Sequence, residues 1–203
     1  RSNMAGAAKG EGNFDLARSL LERIAASFRA RGDIHRFANA LNGLGDVAAA
    51  EGNHDSARRY HHESLDRYRE IDDRWGIARV LADLASVDLQ AGKYAEAGSA
   101  LKEAAQAFRD LGHQRGVARQ LESLSWCASR QSRDEAAVVL ASAATAIRQR
   151  IGNPAKQAER DSVERLLAQA RARLSPDAYA HAWKEGLTAT LDRLLRIDTA
   201  PSA

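Results

Sequence analysis

The sequence predicts an all-α fold: an α-α superhelical solenoid of stacked antiparallel helical hairpins, closed by a C-terminal capping block of helices. Three observations predict it. A pattern of small and apolar residues recurs every forty residues with no insertion. Inside each repeat, apolar residues fall at i, i+3, i+4 and i+7, which is one face of a helix. Only three of the 203 residues are proline, and alanine is abundant, a composition that favours helix.

The repeat is legible in aligned columns. Glu11-Gly12-Asn13-Phe14-Asp15-Leu16-Ala17 aligns with Glu51-Gly52-Asn53-His54-Asp55-Ser56-Ala57, then with Ala91-Gly92-Lys93-Tyr94-Ala95-Glu96-Ala97 and with Gln131-Ser132-Arg133-Asp134-Glu135-Ala136-Ala137. Ala38, Ala78, Ala118 and Ala158 form another column. Leu41, Leu81 and Leu121 form a third, Leu44, Leu84 and Leu124 a fourth, and Phe28, Tyr68 and Phe108 a fifth. The repeats occupy about 4–31, 34–71, 74–111 and 114–151, within a first domain of 1–153.

Each repeat reads as two helices. In the first, for example 34–51, Ala38, Leu41, Leu44, Val47 and Ala48 share a face. It ends at Gly52, which can adopt the left-handed conformation that closes a helix. The second, 55–71, turns Ala57, Leu65 and Tyr68 inward. Short connections make the two antiparallel. A single hairpin cannot bury its apolar face, so hairpins stack.

These columns resemble the tetratricopeptide-repeat signature. Leu44-Gly45 supplies its Leu-Gly pair, relaxed to Leu84-Ala85 and Leu124-Ser125. Gly12, Gly52 and Gly92 supply its turn glycine, with Ser132 departing, and Ala17, Ala57, Ala97 and Ala137 its small residue. The resemblance spans about 4–158 and implies that fold. The forty-residue period exceeds the family's usual thirty-four and implies longer helices or turns.

The ends differ from the array. Forty residues before Leu44 stands Met4, so 4–10 matches only the second half of a first helix. The expectation is an array continuing N-terminally, with an apolar face there that could pair two copies as a homodimer. The capping block, 154–203, opens at Asn153-Pro154. A helix is expected over 157–174, with Ala158, Val163, Leu166, Leu167 and Ala170 apolar. Ser175 as N-cap and Pro176 at the first position start another, expected to stop at Gly186. Thr188 is expected to cap a last helix through Leu191, Leu194, Leu195 and Ile197, before a frayed tail over 198–203. Ile151-Gly152-Asn153-Pro154, Ala182-Trp183-Lys184-Glu185-Gly186 and the Leu-rich segment 187–195 resemble the C-terminal region of bacterial LuxR-like regulators and signal-transduction ATPases. That resemblance implies a region of a cytoplasmic transcriptional regulator. The ATPase and DNA-binding modules of those proteins have no counterpart in these residues.

Little chemistry is encoded. A net charge of +3 with interspersed signs presents no basic stripe for nucleic acid. No apolar run reaches the roughly 18 residues of a membrane span. One cysteine, Cys127, shares a column with Val47 and Val87 and reads as a small buried hydrophobe in a reducing compartment. His61-His62-Glu63, with His54 upstream, is the densest metal-like cluster. Adjacent helical histidines diverge by about 100°, so no metal site is expected there. His35, His113 and His181 are expected in solvent near helix ends. No cofactor and no enzymatic activity are expected.

The remaining candidate is a binding face. In stacked hairpins the first helices line the concave side. Its rows are Asn39, Arg79 and Arg119; Asn42 and Glu122, beside Asp83; Asp46, Ser86 and Trp126; and Arg130. Trp126 is the expected anchor, and Arg79, Arg119 and Arg130 the expected carboxylate partners. In the chaperone-tail carboxylate clamp of the resembled family, Asn stands where Asp46 does here, so chaperone tails are not expected. Four functions compete: a protein- or peptide-binding scaffold or sensor, a small-molecule effector domain, an enzyme, against which stands the lack of a candidate nucleophile–base pair, and a self-association module. A deep apolar pocket at Trp126 would favour the second.

Overall fold

A computed structural model describes residues 2–197, with side chains from residue 5 onward. The tail expected over 198–203 lies outside the described residues. All regular structure among them is helical, and it falls into two compact units, Arg1–Gly92 and Lys93–Ala203. The first holds α1 (Ser2–Gly10), α2 (Phe14–Ala30), α3 (Ile34–Ala50), α4 (His54–Glu70) and α5 (Arg74–Gln90). The second holds α6 (Tyr94–Asp110), α7 (Gln114–Arg130), α8 (Asp134–Arg150), α9 (Gln157–Arg173), α10 (Pro176–Thr188) and α11 (Leu191–Leu195). In the first unit each helix from α1 to α5 packs against the next as antiparallel hairpins. In the second, α6, α7, α8 and α9 do the same, and α10 lies chiefly on α8 rather than on its chain neighbour α9.

The forty-residue period has a simple physical origin. Helices α2 to α9 each run 17 residues, and short turns of repeating geometry join the hairpins. The α3–α4 turn shows the device. The Asn53 N–H donates to Ala48 O at 2.9 Å and the Gly52 N–H to Ala49 O at 3.0 Å, with Gly52 at φ +77°. Asn53 then accepts the Ser56 N–H at 3.1 Å as N-cap of the next helix. Ser132 (φ 60°) and Asp72 (φ 49°) keep the left-handed conformation in other turns without being glycine.

The expected core columns are buried, save Phe28, which is half-buried, and Ala158. Ala17, Ala57, Ala97 and Ala137 have no exposed surface, so paired helices approach to backbone distance. Leu41, Leu44, Val47 and Ala48 line the α3 side of the core, and Leu65 and Tyr68 the α4 side. Burying each such side chain contributes roughly 1.5–3 kcal/mol. In the second unit, α8 contacts α7, α9 and α10. That enclosure explains its unbroken buried run from Ala137 to Ala144.

Three details of the capping block correct the expectation. Ala158 is exposed, because the chain leaves the repeat register at Pro154 and α9 buries Leu166 and Ala170 instead. Gly186 does not stop its helix, which runs on to Thr188. It serves as a contact surface: a Cβ there would overlap Ser142 Oγ and the Val139 carbonyl oxygen. The N-cap of α11 is Thr190, whose hydroxyl accepts the Arg193 N–H at 3.4 Å, not Thr188, which bonds back into α10. Ser175 and Pro176 start α10 as expected.

Candidate functional site

In the first unit, α3, α4 and α5 bring polar side chains together around an opening. The centre is His61 on α4, with 1% of its surface exposed. Its column otherwise holds Leu21, Leu101 and Ala141, so an imidazole occupies a position built for an aliphatic side chain. Gly45 makes room: a Cβ at that residue would come within 2.5–2.7 Å of three ring atoms. His61 Nδ1 lies 3.0 Å from Asn42 Oδ1, and Asn42 Nδ2 donates to Asp83 Oδ2 at 2.9 Å. Asn42 is therefore buried, not the solvent-facing residue its row suggests, and its amide is engaged at both ends. Asp46 accepts Lys9 Nζ at 3.2 Å on the outer side. One ligand atom each from Asp46, His61 and Asp83 lie within 4.8 Å of one another.

Burial pushes the His61 imidazole down to about 4 against the pull of Asp46, with His62, Arg79 and Lys9 adding to the depression. It is neutral at neutral pH. Arg79 on α5 donates to Asn39 Oδ1 at 2.8 Å and to Tyr68 Oη at 2.9 Å. Burial raises the Tyr68 phenol and Arg79 opposes the shift. Asn39, Asn42, Asp46 and Arg79 line one cleft of about 590 Å³ with Lys9, Asp33, Arg36 and the apolar Ile24 and Phe28. Asp83, half-buried and bonded by Asn42, does not line it, and Ser86 is exposed further along α5.

The second unit treats its candidates differently. Trp126 is half-buried, edge-on to Tyr94 at 6.0 Å, with the Arg130 guanidinium 5.4 Å from its ring. Arg130 Nε donates to Tyr94 Oη at 3.1 Å. Arg119 is exposed. Glu122 is clamped by Arg148, whose Nε and Nη2 donate to its two carboxylate oxygens at 2.6 and 2.8 Å. Glu122 and Arg148 line a second cleft of about 460 Å³, walled by Pro154, Val163, Leu167 and Trp183. Trp126 lines neither cleft. Cys127 is buried and its thiol is pushed up to about 12, which suits packing and not nucleophilic attack.

Lys9, Tyr68 and Arg148 are functional candidates absent from the expected binding face, and His61 is one weighed with His62 and Glu63 as a metal ligand and set aside there. Two of them carried a signal. His61 breaks an aliphatic column, and Arg148 breaks the aromatic column of Phe28, Tyr68 and Phe108. His113, expected in solvent, accepts the Gly116 N–H at 3.1 Å as N-cap of α7.

A family model for the tetratricopeptide repeat matches residues 1–70 and again 36–110. No curated protein matches the chain. No helix among the described residues is long and apolar enough to cross a membrane.

Proposed function

The chain belongs to the tetratricopeptide-repeat family, and we propose that it is a binding module whose first unit holds an extended peptide of mixed charge. Tetratricopeptide repeats mediate protein–protein interaction, and nothing in the proposal requires catalysis. The supporting observation is the convergence of Asn39, Asn42, Asp46 and Arg79 on one opening of about 590 Å³. Its lining carries Lys9, Arg36 and Arg79 beside Asp33 and Asp46; Lys9 pairs with Asp46 and Arg36 with Asp33, and a peptide's carboxylates and cations would exchange with these partners. Asn39 can serve a peptide backbone as donor and acceptor at once. Ile24 and Phe28 give one apolar side chain a place to rest. In the second unit, the Trp126–Arg130 pair is a separate aromatic and cationic surface of the kind that anchors partners.

The test is selection of peptides from a random display library on the immobilised protein, then calorimetric titration of a recovered peptide. Arg79→Ala and Asp46→Ala are expected to weaken binding tenfold or more with unchanged helical circular dichroism. Arg119→Ala and Trp126→Ala report in the same way on the second unit. Recovery of no peptide above background, or equal affinity in all four variants, overturns the assignment.

A second reading, a small-molecule effector site, is favoured by the cleft at Trp183, where Pro154, Val163 and Leu167 make an apolar wall beside the Glu122–Arg148 pair. The segments 151–154 and 182–186 support placing the module in a bacterial cytoplasmic transcriptional regulator. A coding sequence with neither an ATPase nor a DNA-binding module would refute that placement.

A further inference from the structure

We propose that Asp46, His61 and Asp83 form a binding site for a divalent transition-metal ion of the zinc class, beside the first unit's cleft, which Asp46 alone of the three lines. The three side chains come from α3, α4 and α5, and each offers a ligand atom within 4.8 Å of the others. Around a tetrahedral zinc with bonds of about 2.1 Å, neighbouring ligand atoms stand about 3.4 Å apart. Rotamer adjustment of two carboxylates covers the difference. The imidazole excludes calcium and magnesium as the preferred ions and selects a borderline metal.

The surroundings have the form that metal sites use to orient their ligands. A metal-bound histidine characteristically donates its other ring N–H to a fixed oxygen, and ligating carboxylates are themselves hydrogen-bonded. Here His61 Nδ1 is 3.0 Å from Asn42 Oδ1, and Asn42 Nδ2 holds Asp83 Oδ2 at 2.9 Å. One amide thus sets both a histidine and a carboxylate. Taking Asn42 Oδ1 as the acceptor places the His61 proton on Nδ1 and the ring's lone pair on Nε2. Asp46 lines the cleft, which gives an ion a route from solvent. Lys9 now balances Asp46, and with both side chains more than one-third exposed, its ammonium can swing aside as the ion arrives.

This inference does not depend on the peptide reading, because the probe is the metal alone. Chelator-treated protein is titrated with Zn²⁺ by calorimetry and with Co²⁺ by visible absorption. One ion per chain is expected, with a cobalt ligand-field spectrum of low symmetry. His61→Gln and Asp46→Asn are expected to lower zinc affinity tenfold or more, and Asn42→Ala tenfold to a hundredfold as a positioning residue. His62→Gln, the exposed neighbour, leaves affinity unchanged. Asp46 is partly exposed, so Asp46→Asn keeps the test decisive if His61→Gln fails to fold. No uptake by the metal-free protein, or equal uptake in Asp46→Asn, overturns the site.

Discussion

His61 Nδ1 sits 3.0 Å from Asn42 Oδ1 inside a column that elsewhere holds Leu21, Leu101 and Ala141. A polar pair bridges α3 and α4 there, and it links the hairpin core to the lining of the cleft.

That pair makes stability depend on pH. Unfolded, His61 takes a proton near pH 6.5, whereas folded it does so only near 4, because burial disfavours the cation. Between those values the unfolded chain binds the extra proton, so stability falls as pH falls. In metal-free protein, wild type is expected to lose about 2 kcal/mol between roughly pH 6.5 and 5 through this residue. Asp46, Lys9, Arg79 and His62 set the field around the ring. Urea unfolding across that window checks it: His61→Leu should flatten the slope, and an unchanged slope would refute the burial account.

Arg148 and Glu122 form a two-pronged ion pair with 9% and 14% of their side chains exposed, and Glu159 lies 3.6 Å from Arg148. Arg148→Phe restores the aromatic of Phe28, Tyr68 and Phe108 but leaves the Glu122 carboxylate without its cation. The single variant should be destabilised by about 3 kcal/mol. Adding Glu122→Ala, the residue type at Ala82, should recover most of that loss in a denaturant titration.

Gly186 lets α10 lie directly on α8. Gly186→Ala forces the two helices apart and should cost about 3 kcal/mol. Ser142→Gly should rescue only part of it, since the Val139 carbonyl oxygen still obstructs. A thermal melt of the three proteins distinguishes close approach from helix termination, which would leave Gly186→Ala near neutral.

Ser132 holds φ 60° in a turn where other repeats place glycine. Ser132→Gly should raise stability by roughly 0.5–1 kcal/mol, the left-handed strain relieved less the added freedom of the unfolded chain. Asp72→Gly should act in the same direction, and Gly52→Ala in the opposite one. Chemical denaturation of the three variants reads the signs directly.

The forty-residue columns by themselves determined the helices, the turns and the buried faces. Those properties depend on residues a few positions apart, whose spacing translates directly into a helix face or a cap. Ala57 and Leu65 are buried, and Asn53 caps, for reasons visible within one hairpin. Tertiary structure alone decided what the polar residues do. Asp46, His61 and Asp83 stand on three different helices, and Glu122 meets Arg148 across a turn, so no local spacing announces either group. Asn42 looked like a surface residue because helix periodicity places it at the edge of the core, and only the packing of α4 and α5 against α3 encloses it. Gly186 looked like a stop because glycine weakens helices. The presence of α8 beneath it turned that absent side chain into a point of contact.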